Sequence, residues 1–273
     1  MMPQLKDMLK ILDVMAPFSS AEEWDNPGFQ VGFLSDEVEK VLISLDPTIK
    51  ALQKAIEIDA ELLLTHHPLM FKGLTTINPD AYPGDVIAEA LKSRVSIVSV
   101  HTNLDIAKGG INDILAGMIG LKDLEALITK EGSNNTLEGL GRIGCLPQPM
   151  SLAEIAGVVM DAVGSDGLTV MGAADREIKK VAILGGAGGS ELGQASQKNA
   201  DLYITGDVRH HEALTAESLG LALIDAGHFN MERAAMHVFA DQLRDRLKQL
   251  GWDLIIEIFK DEKTPMRYMS RKT

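Results

Sequence analysis

The sequence contains a single cysteine, Cys145, among 273 residues. One thiol excludes a disulfide within the chain and any zinc site built from several thiolates, and it fits a reducing compartment. The N-terminus has no basic segment followed by an apolar stretch. We therefore expect no signal peptide and a cytoplasmic location.

Long apolar runs and an excess of basic charge are also missing. No stretch approaches the roughly 18 apolar residues of a membrane-spanning helix, so we expect no membrane association. The 26 lysines and arginines stand against 39 aspartates and glutamates, which gives a formal charge of −13. Such a surface repels nucleic-acid phosphates unless a local basic patch reverses the field. We do not expect bare nucleic acid to be the main partner.

The apolar residues, 45% of the chain, alternate between strand-like and helix-like segments. Residues 41–45, 62–64 and 95–100 are short apolar runs separated by helical patterns. Strands separated by helices of this length predict right-handed crossovers and a largely parallel sheet. Residues 121–146 are less regular, and their glycines predict turns and short strands.

An internal repeat is visible at a shift of 140 residues, which aligns residues 39–66 with 179–206 without a gap. Any two strand–helix–strand units share some apolar positions. Here the matches extend to polar positions, because Lys40 falls on Lys180 and Glu61 on Asp201. The repeat favours two related α/β domains.

Histidines and carboxylates follow the ends of three predicted strands. These residues are His66 and His67, His101 and Asp105, and His228 and Glu232. The carboxyl ends of parallel strands meet at one edge of the sheet, which is where open α/β folds place their sites. Imidazole nitrogens and carboxylate oxygens without sulfur suit zinc, iron, manganese or cobalt.

The number of candidate ligands exceeds the need of one tetrahedral ion. Two metal ions about 3.5–4 Å apart are the usual arrangement of dinuclear hydrolytic sites. A lone histidine at a strand end is more often a hydrogen-bonded structural residue, but three such ends with acidic neighbours are a less probable coincidence. His101 is either a ligand or a residue that orients Asp105.

Another histidine pair, His210 and His211, follows the repeat equivalent of the His66-His67 corner. These side chains could form the far wall of the same cleft, where they would bind an anionic substrate or move protons. Alternatively, they merely begin a solvated helix. The sequence favours neither interpretation.

Five motifs of the sequence are distinctive in this order: Trp24-Asp25-Asn26-Pro27-Gly28, Thr65-His66-His67-Pro68, His101-Thr102-Asn103-Leu104-Asp105, Thr205-Gly206-Asp207 and Gly227-His228 with Glu232 four residues after the histidine. Together they resemble the Nif3-like family of dinuclear metal-centre proteins, whose bacterial members are called GTP cyclohydrolase 1 type 2 homologs. The resemblance covers nearly the whole chain.

The resemblance implies two interlinked, topologically similar α/β domains. One comprises residues 1–127 and 225–273, the other residues 128–224, and no third domain is inserted. It also implies a toroidal homohexamer and two divalent metal ions per subunit, of unspecified identity. The implied ligands are His66, His67, Asp105, His228 and Glu232.

Two functions are open at this point. The first is a metal-dependent hydrolase acting on a small nucleotide-like or anionic substrate, with acid–base chemistry from His101, His210 or His211. In a cyclohydrolase, metal-activated water would open the imidazole ring of GTP at C8. The second is a non-enzymatic metal-binding ring: a metal chaperone, or a regulatory or nucleic-acid-associated factor, since the family is named after interaction with a transcriptional regulator.

Overall fold

The computed structural model describes residues 2–129 and 138–266. Its helices are α1 Leu5–Met15, α2 Ile49–Glu57, α3 Gly84–Ser93, α4 Thr102–Ile106, α5 Ile111–Met118, α6 Leu152–Val163, α7 Leu192–Gln197, α8 His210–Ser218 and α9 His228–Gln249. Its strands are β1 Gly28–Val31, β2 Lys40–Ser44, β3 Leu62–Thr65, β4 Ser96–Ser99, β5 Lys122–Thr129, β6 Gly139–Ser151, β7 Thr169–Met171, β8 Glu177–Ala187, β9 Leu202–Gly206, β10 Ala222–Asp225 and β11 Ile255–Ile258.

The strands form two mixed sheets. The first has the order β1-β4-β3-β2-β11 and the second β5-β6-β8-β9-β10-β7. In the first sheet β2, β3 and β4 run parallel, and the antiparallel edge strand β1 lies beside β4. In the second sheet β8, β9 and β10 run parallel, and the antiparallel edge strand β7 lies beside β10. The α/β class is confirmed, and the described ranges contain no third domain.

The repeat extends to strand register and individual hydrogen bonds. In the first sheet Val41 pairs with Leu62, and in the second Val181 pairs with Leu202. The Lys40 ammonium donates to the Ile58 carbonyl, and the Lys180 ammonium donates in the same way to the Lys198 carbonyl. The carboxylates of Glu61 and Asp201 accept the equivalent backbone N–H groups at 2.8 and 2.7 Å. Agreement at this level confirms that the two α/β units are topologically similar.

The prediction of turns and short strands for residues 121–146 is wrong within the described part. Strands β5 and β6 are eight and thirteen residues long and pair antiparallel. Three of the glycines lie inside β6 because the neighbouring chain is close. A Cβ at Gly144 would lie 2.6 Å from the Lys122 carbonyl oxygen, and one at Gly139 would lie 1.9 Å from that of Ile128. These glycines allow β5 to approach β6 closely and do not form turns.

Helix α9 connects the two sheets. It begins directly after β10 of the second sheet and leads to β11 of the first. Its buried face, with Met231, Ala235 and Phe239, belongs to one apolar cluster that includes strands of both sheets and the helices α1, α5 and α6. None of the helices given above has the combination of length and apolar character needed to cross a membrane.

Candidate metal centre

The predicted ligands meet between the two sheets. In the first sheet, β3 leads into His66 and His67, and β4 is followed by α4, which carries Asp105. In the second sheet, β10 is followed by α9, which begins with His228 and carries Glu232. The structure therefore brings all five side chains together at the carboxyl ends of these strands.

Glu232 lies at the centre of the group. Its Oε2 is 3.2 Å from His67 Nε2 and 3.0 Å from His228 Nε2. Those two ring nitrogens are 3.4 Å apart. The other oxygen, Oε1, is 3.6 Å from His66 Nε2, which is 3.7 Å from Asp105 Oδ1. Each oxygen of Glu232 thus faces a different set of ligand atoms.

These spacings fit metal coordination. Two ligand atoms that bind the same tetrahedral ion at about 2.1 Å lie about 3.4 Å from each other. The Nε2 atom of His66 and the Oδ1 atom of Asp105 are buried without a hydrogen-bond partner among the described residues. Buried polar atoms of this kind cost free energy unless another group satisfies them. The nitrogen and oxygen donors could therefore hold a divalent metal.

The imidazoles are oriented through Nδ1. His66 Nδ1 donates to the Val100 carbonyl at 2.7 Å. The other rings direct Nδ1 at carboxylates: His67 at Asp46 (2.7 Å), His101 at Asp25 (2.8 Å) and His228 at Asp207 (2.8 Å). An acceptor at Nδ1 fixes the proton there in the neutral ring and leaves the lone pair of Nε2 for a metal.

Sequence reasoning missed the roles of Asp25, Asp46 and Asp207. A signal existed for two of them, because Asp46 follows β2 and Asp207 follows β9 at the same edge as the histidines. In the repeat, Asp207 also takes the place of His67. Asp25 is held by hydrogen bonds from His101 and Thr102, which outweigh burial and lower its pKa to about 2.

Burial and charge shift the pKa values of the ligands in different directions. Burial lowers the pKa of His66. Burial also opposes protonation of His67 and His228, but the surrounding carboxylates raise their pKa values to about 10 and about 9. Burial and the charge of Glu232 raise the pKa of Asp105, whereas the imidazoles hold the pKa of Glu232 well below its usual range despite its burial. A bound cation would replace protons on the imidazoles.

Glycines in the second sheet leave the space that α9 fills. A Cβ at Gly186 would lie 2.5 Å from Glu232 Oε1, and one at Gly206 would lie 2.4 Å from the backbone nitrogen of His228. In the repeat these glycines correspond to Asp46 and His66. At these two positions the first unit thus has the polar side chains of Asp46 and His66, and the second unit has glycines that leave space for α9.

His101 borders the same cluster. Its ring centroid is 5.1 Å from that of His66 and 5.4 Å from that of His67, and one nitrogen from each of the three rings lies within 4.8 Å of the others. Trp24 and Phe71 contact the ring of His101 with centroid distances of 5.8 and 5.7 Å. The position suits a ligand or an acid–base group, whereas the predicted orientation of Asp105 by His101 stays a prediction, since the Nδ1 of His101 pairs with Asp25.

His210 and His211 are not joined to this cluster. They begin α8, are exposed, and contact each other with ring centroids 5.7 Å apart. His210 lines a surface pocket of about 380 Å³ beside Leu214 and Met171. Within the described ranges, no hydrogen bond, ion pair or ring contact connects either histidine to the five clustered side chains, so their role stays a prediction.

Replacing Asp46 with asparagine should weaken the affinity for metal about 10- to 100-fold, because the loss of the charged partner makes His67 a poorer ligand. Competition of the purified protein against a chelator measures this change. The exposed Asp80→Asn variant removes the same charge from a loop and should bind metal as the unmodified chain does. Equal affinities in the two variants would contradict the role of Asp46.

Comparison with known proteins gives one consistent result. Residues 3–265 match the family described as Duf34/NIF3 (NGG1p interacting factor 3). A "GTP cyclohydrolase 1 type 2 homolog" of Clostridium perfringens is 33% identical over 97% of this chain and 100% of its own length.

Solved structures agree. A Bacillus cereus protein related to NIF3 matches with a TM-score of 0.91 at 26% identity, over 98% of this chain and 100% of its own. A hypothetical protein of Staphylococcus aureus matches with a TM-score of 0.92 at 28% identity, over the same shares of the two chains. From its fold, its motifs and these matches, the chain belongs to the Duf34/NIF3 family.

Proposed function

We propose that this chain holds two divalent metal ions and is a metal-dependent hydrolase of a small nucleotide-like or anionic substrate. The observation that supports it most is the position of Glu232. One carboxylate oxygen faces His67 and His228, and the other faces His66, whose Nε2 also approaches Asp105. A carboxylate shared between two sets of ligands is a common feature of dinuclear centres. Zinc, iron, manganese and cobalt all suit these donors.

Divalent ions at such a centre supply Lewis-acid chemistry, since they polarise substrate oxygens and acidify water. The chain's own residues supply positioning and proton transfer. His101 is the proposed acid–base group, because Asp25 holds its Nδ1, which leaves Nε2 for proton transfer, and its ring borders those of His66 and His67. His210 and His211 are proposed as outer residues that receive an anionic part of the substrate.

The entrance of the site suggests a substrate with a planar ring. Trp24 and Phe71, which contact His101, are 60% and 45% exposed. Exposed aromatic rings beside a polar site offer stacking surfaces to a nucleobase. The name of the Clostridium perfringens relative, GTP cyclohydrolase 1 type 2 homolog, makes GTP the substrate to test first.

The proposal is tested by turnover of the metal-loaded protein. Protein reconstituted with each of the four metals is incubated with GTP, other nucleotides, phosphoesters and amides, and products are followed by chromatography. We expect one substrate class to be consumed and its consumption to stop in His66→Ala and His101→Ala. Two bound ions without turnover in the whole panel would overturn the hydrolase and favour a non-enzymatic metal-binding protein.

Removing the ring of Trp24 should weaken nucleotide binding about 5- to 100-fold, since stacking on one base contributes roughly 1–3 kcal/mol. Titration of Trp24→Ala and of the unmodified chain with GTP, followed by calorimetry, measures the effect. The half-buried Trp252 lies between α9 and β11 and packs against the main apolar cluster, and Trp252→Phe serves as the control. Equal GTP affinity in all three proteins would show that no base stacks on Trp24.

We also propose a toroidal homohexamer, which rests on the resemblance to the family. Light scattering of the protein as it elutes from a size-exclusion column should give a molar mass six times the chain mass of 29.5 kDa. A monomer or dimer at micromolar concentration would contradict it.

A further inference from the structure

Helix α4 has only five residues, yet it carries Asp105. A helix this short has little stability of its own, so its position depends on the groups that bind its ends. At its beginning, the Thr102 backbone N–H donates to Asp25, and the Asn103 amide donates to the Ala16 carbonyl. Both of these partners come from the first part of the chain. The end of α4 is held differently.

Asn112 of α5 binds the end of α4 to the second sheet. Its side chain is completely buried. Its Nδ2 donates to the Asp105 carbonyl at 3.0 Å, and its Oδ1 accepts from the Gly185 backbone N–H at 2.9 Å. Gly185 precedes Gly186, the residue that lies against Glu232 Oε1. One side-chain amide therefore connects the backbones beside the two carboxylate ligands.

Arg142 of β6 strengthens the same connection. Its completely buried guanidinium donates to the Ile106 and Ala107 carbonyls, the next two after that of Asp105, at 3.4 and 3.3 Å. It also pairs with Asp113 of α5. The end of α4 is thus bound to two strands of the second sheet, through Arg142 to β6 and through Asn112 to β8.

We propose that Asn112 is a positioning residue of the metal centre: it sets the distance between Asp105 and Glu232 by tying their neighbouring backbones together. The inference rests on the proposed metal site. It identifies a function for a residue whose two side-chain hydrogen bonds go to backbone groups. Because one partner of the amide only accepts and the other only donates, no carboxylate or aliphatic side chain can replace it.

Asn112→Leu tests the inference with little change of volume. Leucine is close to asparagine in size but neither donates to the Asp105 carbonyl nor accepts from the Gly185 N–H. Stepwise titration with cobalt(II), followed by visible absorption, gives two dissociation constants. We expect the ion bound by Asp105 and His66 to bind about 10- to 100-fold more weakly, which is the usual effect of replacing a residue that orients a metal ligand. The ion bound by His67 and His228 should bind with unchanged affinity.

The outcomes separate this inference from the proposed function. An unmodified chain that binds no cobalt overturns both. Two unchanged constants in Asn112→Leu, or two constants weakened equally, overturn the inference alone, since the amide would then have no role or only a general structural one. Asn112→Ala provides a second variant if the leucine prevents folding, and Asn78→Leu at an exposed position is the control.

Discussion

Replacing Glu232 with glutamine should reduce the bound metal from two ions per chain to fewer than one. Glu232 is 3% exposed and has one oxygen on each side of the ligand cluster. Glutamine keeps the volume but replaces one oxygen with an NH₂ group, which cannot bind a metal and which would face imidazole nitrogens. Elemental analysis of the protein after reconstitution and desalting measures the change.

The matched control is Glu154→Gln. Glu154 belongs to the capping box of α6, where a glutamine side chain can still accept the hydrogen bonds of Ser151. This variant loses the same charge and should keep both ions. Retention of two ions with unchanged affinity in Glu232→Gln would mean that Glu232 does not join two metal sites.

Replacing Arg142 with methionine should lower the free energy of unfolding by about 3–5 kcal/mol, as breaking a buried ion pair generally does. The guanidinium is completely buried and donates to the carbonyls of Gly139 and Gly141 in addition to its contacts with α4. Methionine fills much of the volume but removes the guanidinium donors from these carbonyls and from the Asp113 carboxylate, which still accepts from the Gly109 backbone N–H. In a chain of this size the midpoint of thermal unfolding should fall by roughly 6–20 °C.

Metal-free protein is the appropriate sample, because bound metal would add its own stabilisation. Arg209→Met is the control: Arg209 forms an ion pair with Glu212 on the surface, and its loss should change the midpoint little. An Arg142→Met protein that unfolds within 2 °C of the unmodified chain would contradict the structural role of this guanidinium.

The features that the sequence predicted depend on local patterns. Apolar runs located the parallel strands, and the alignment of residues 39–66 with 179–206 anticipated the equal register of the two sheets. His66 and His67 follow a strand directly, so their place at the sheet edge required no knowledge of the tertiary fold. The five clustered side chains were identified from three such strand ends and the family resemblance.

The features that it missed depend on contacts between distant segments. Glycines inside β6 resembled turn residues because the close approach of β5 is invisible in a single strand. Asn112 has no neighbour in sequence that marks it, since its partner Gly185 lies 73 residues away in β8. The partners of the imidazoles, such as Asp46, lie 21 or more residues away along the chain.

Anomalous diffraction from a crystal grown with cobalt or zinc tests the dinuclear site most directly. We expect two peaks per chain, one beside each oxygen of Glu232, with the first bound by His67 and His228 and the second by His66 and Asp105. Ligand bonds should measure about 2.0–2.2 Å. The absence of a peak at Glu232, or a single peak that leaves His66 and Asp105 without a metal, would contradict it.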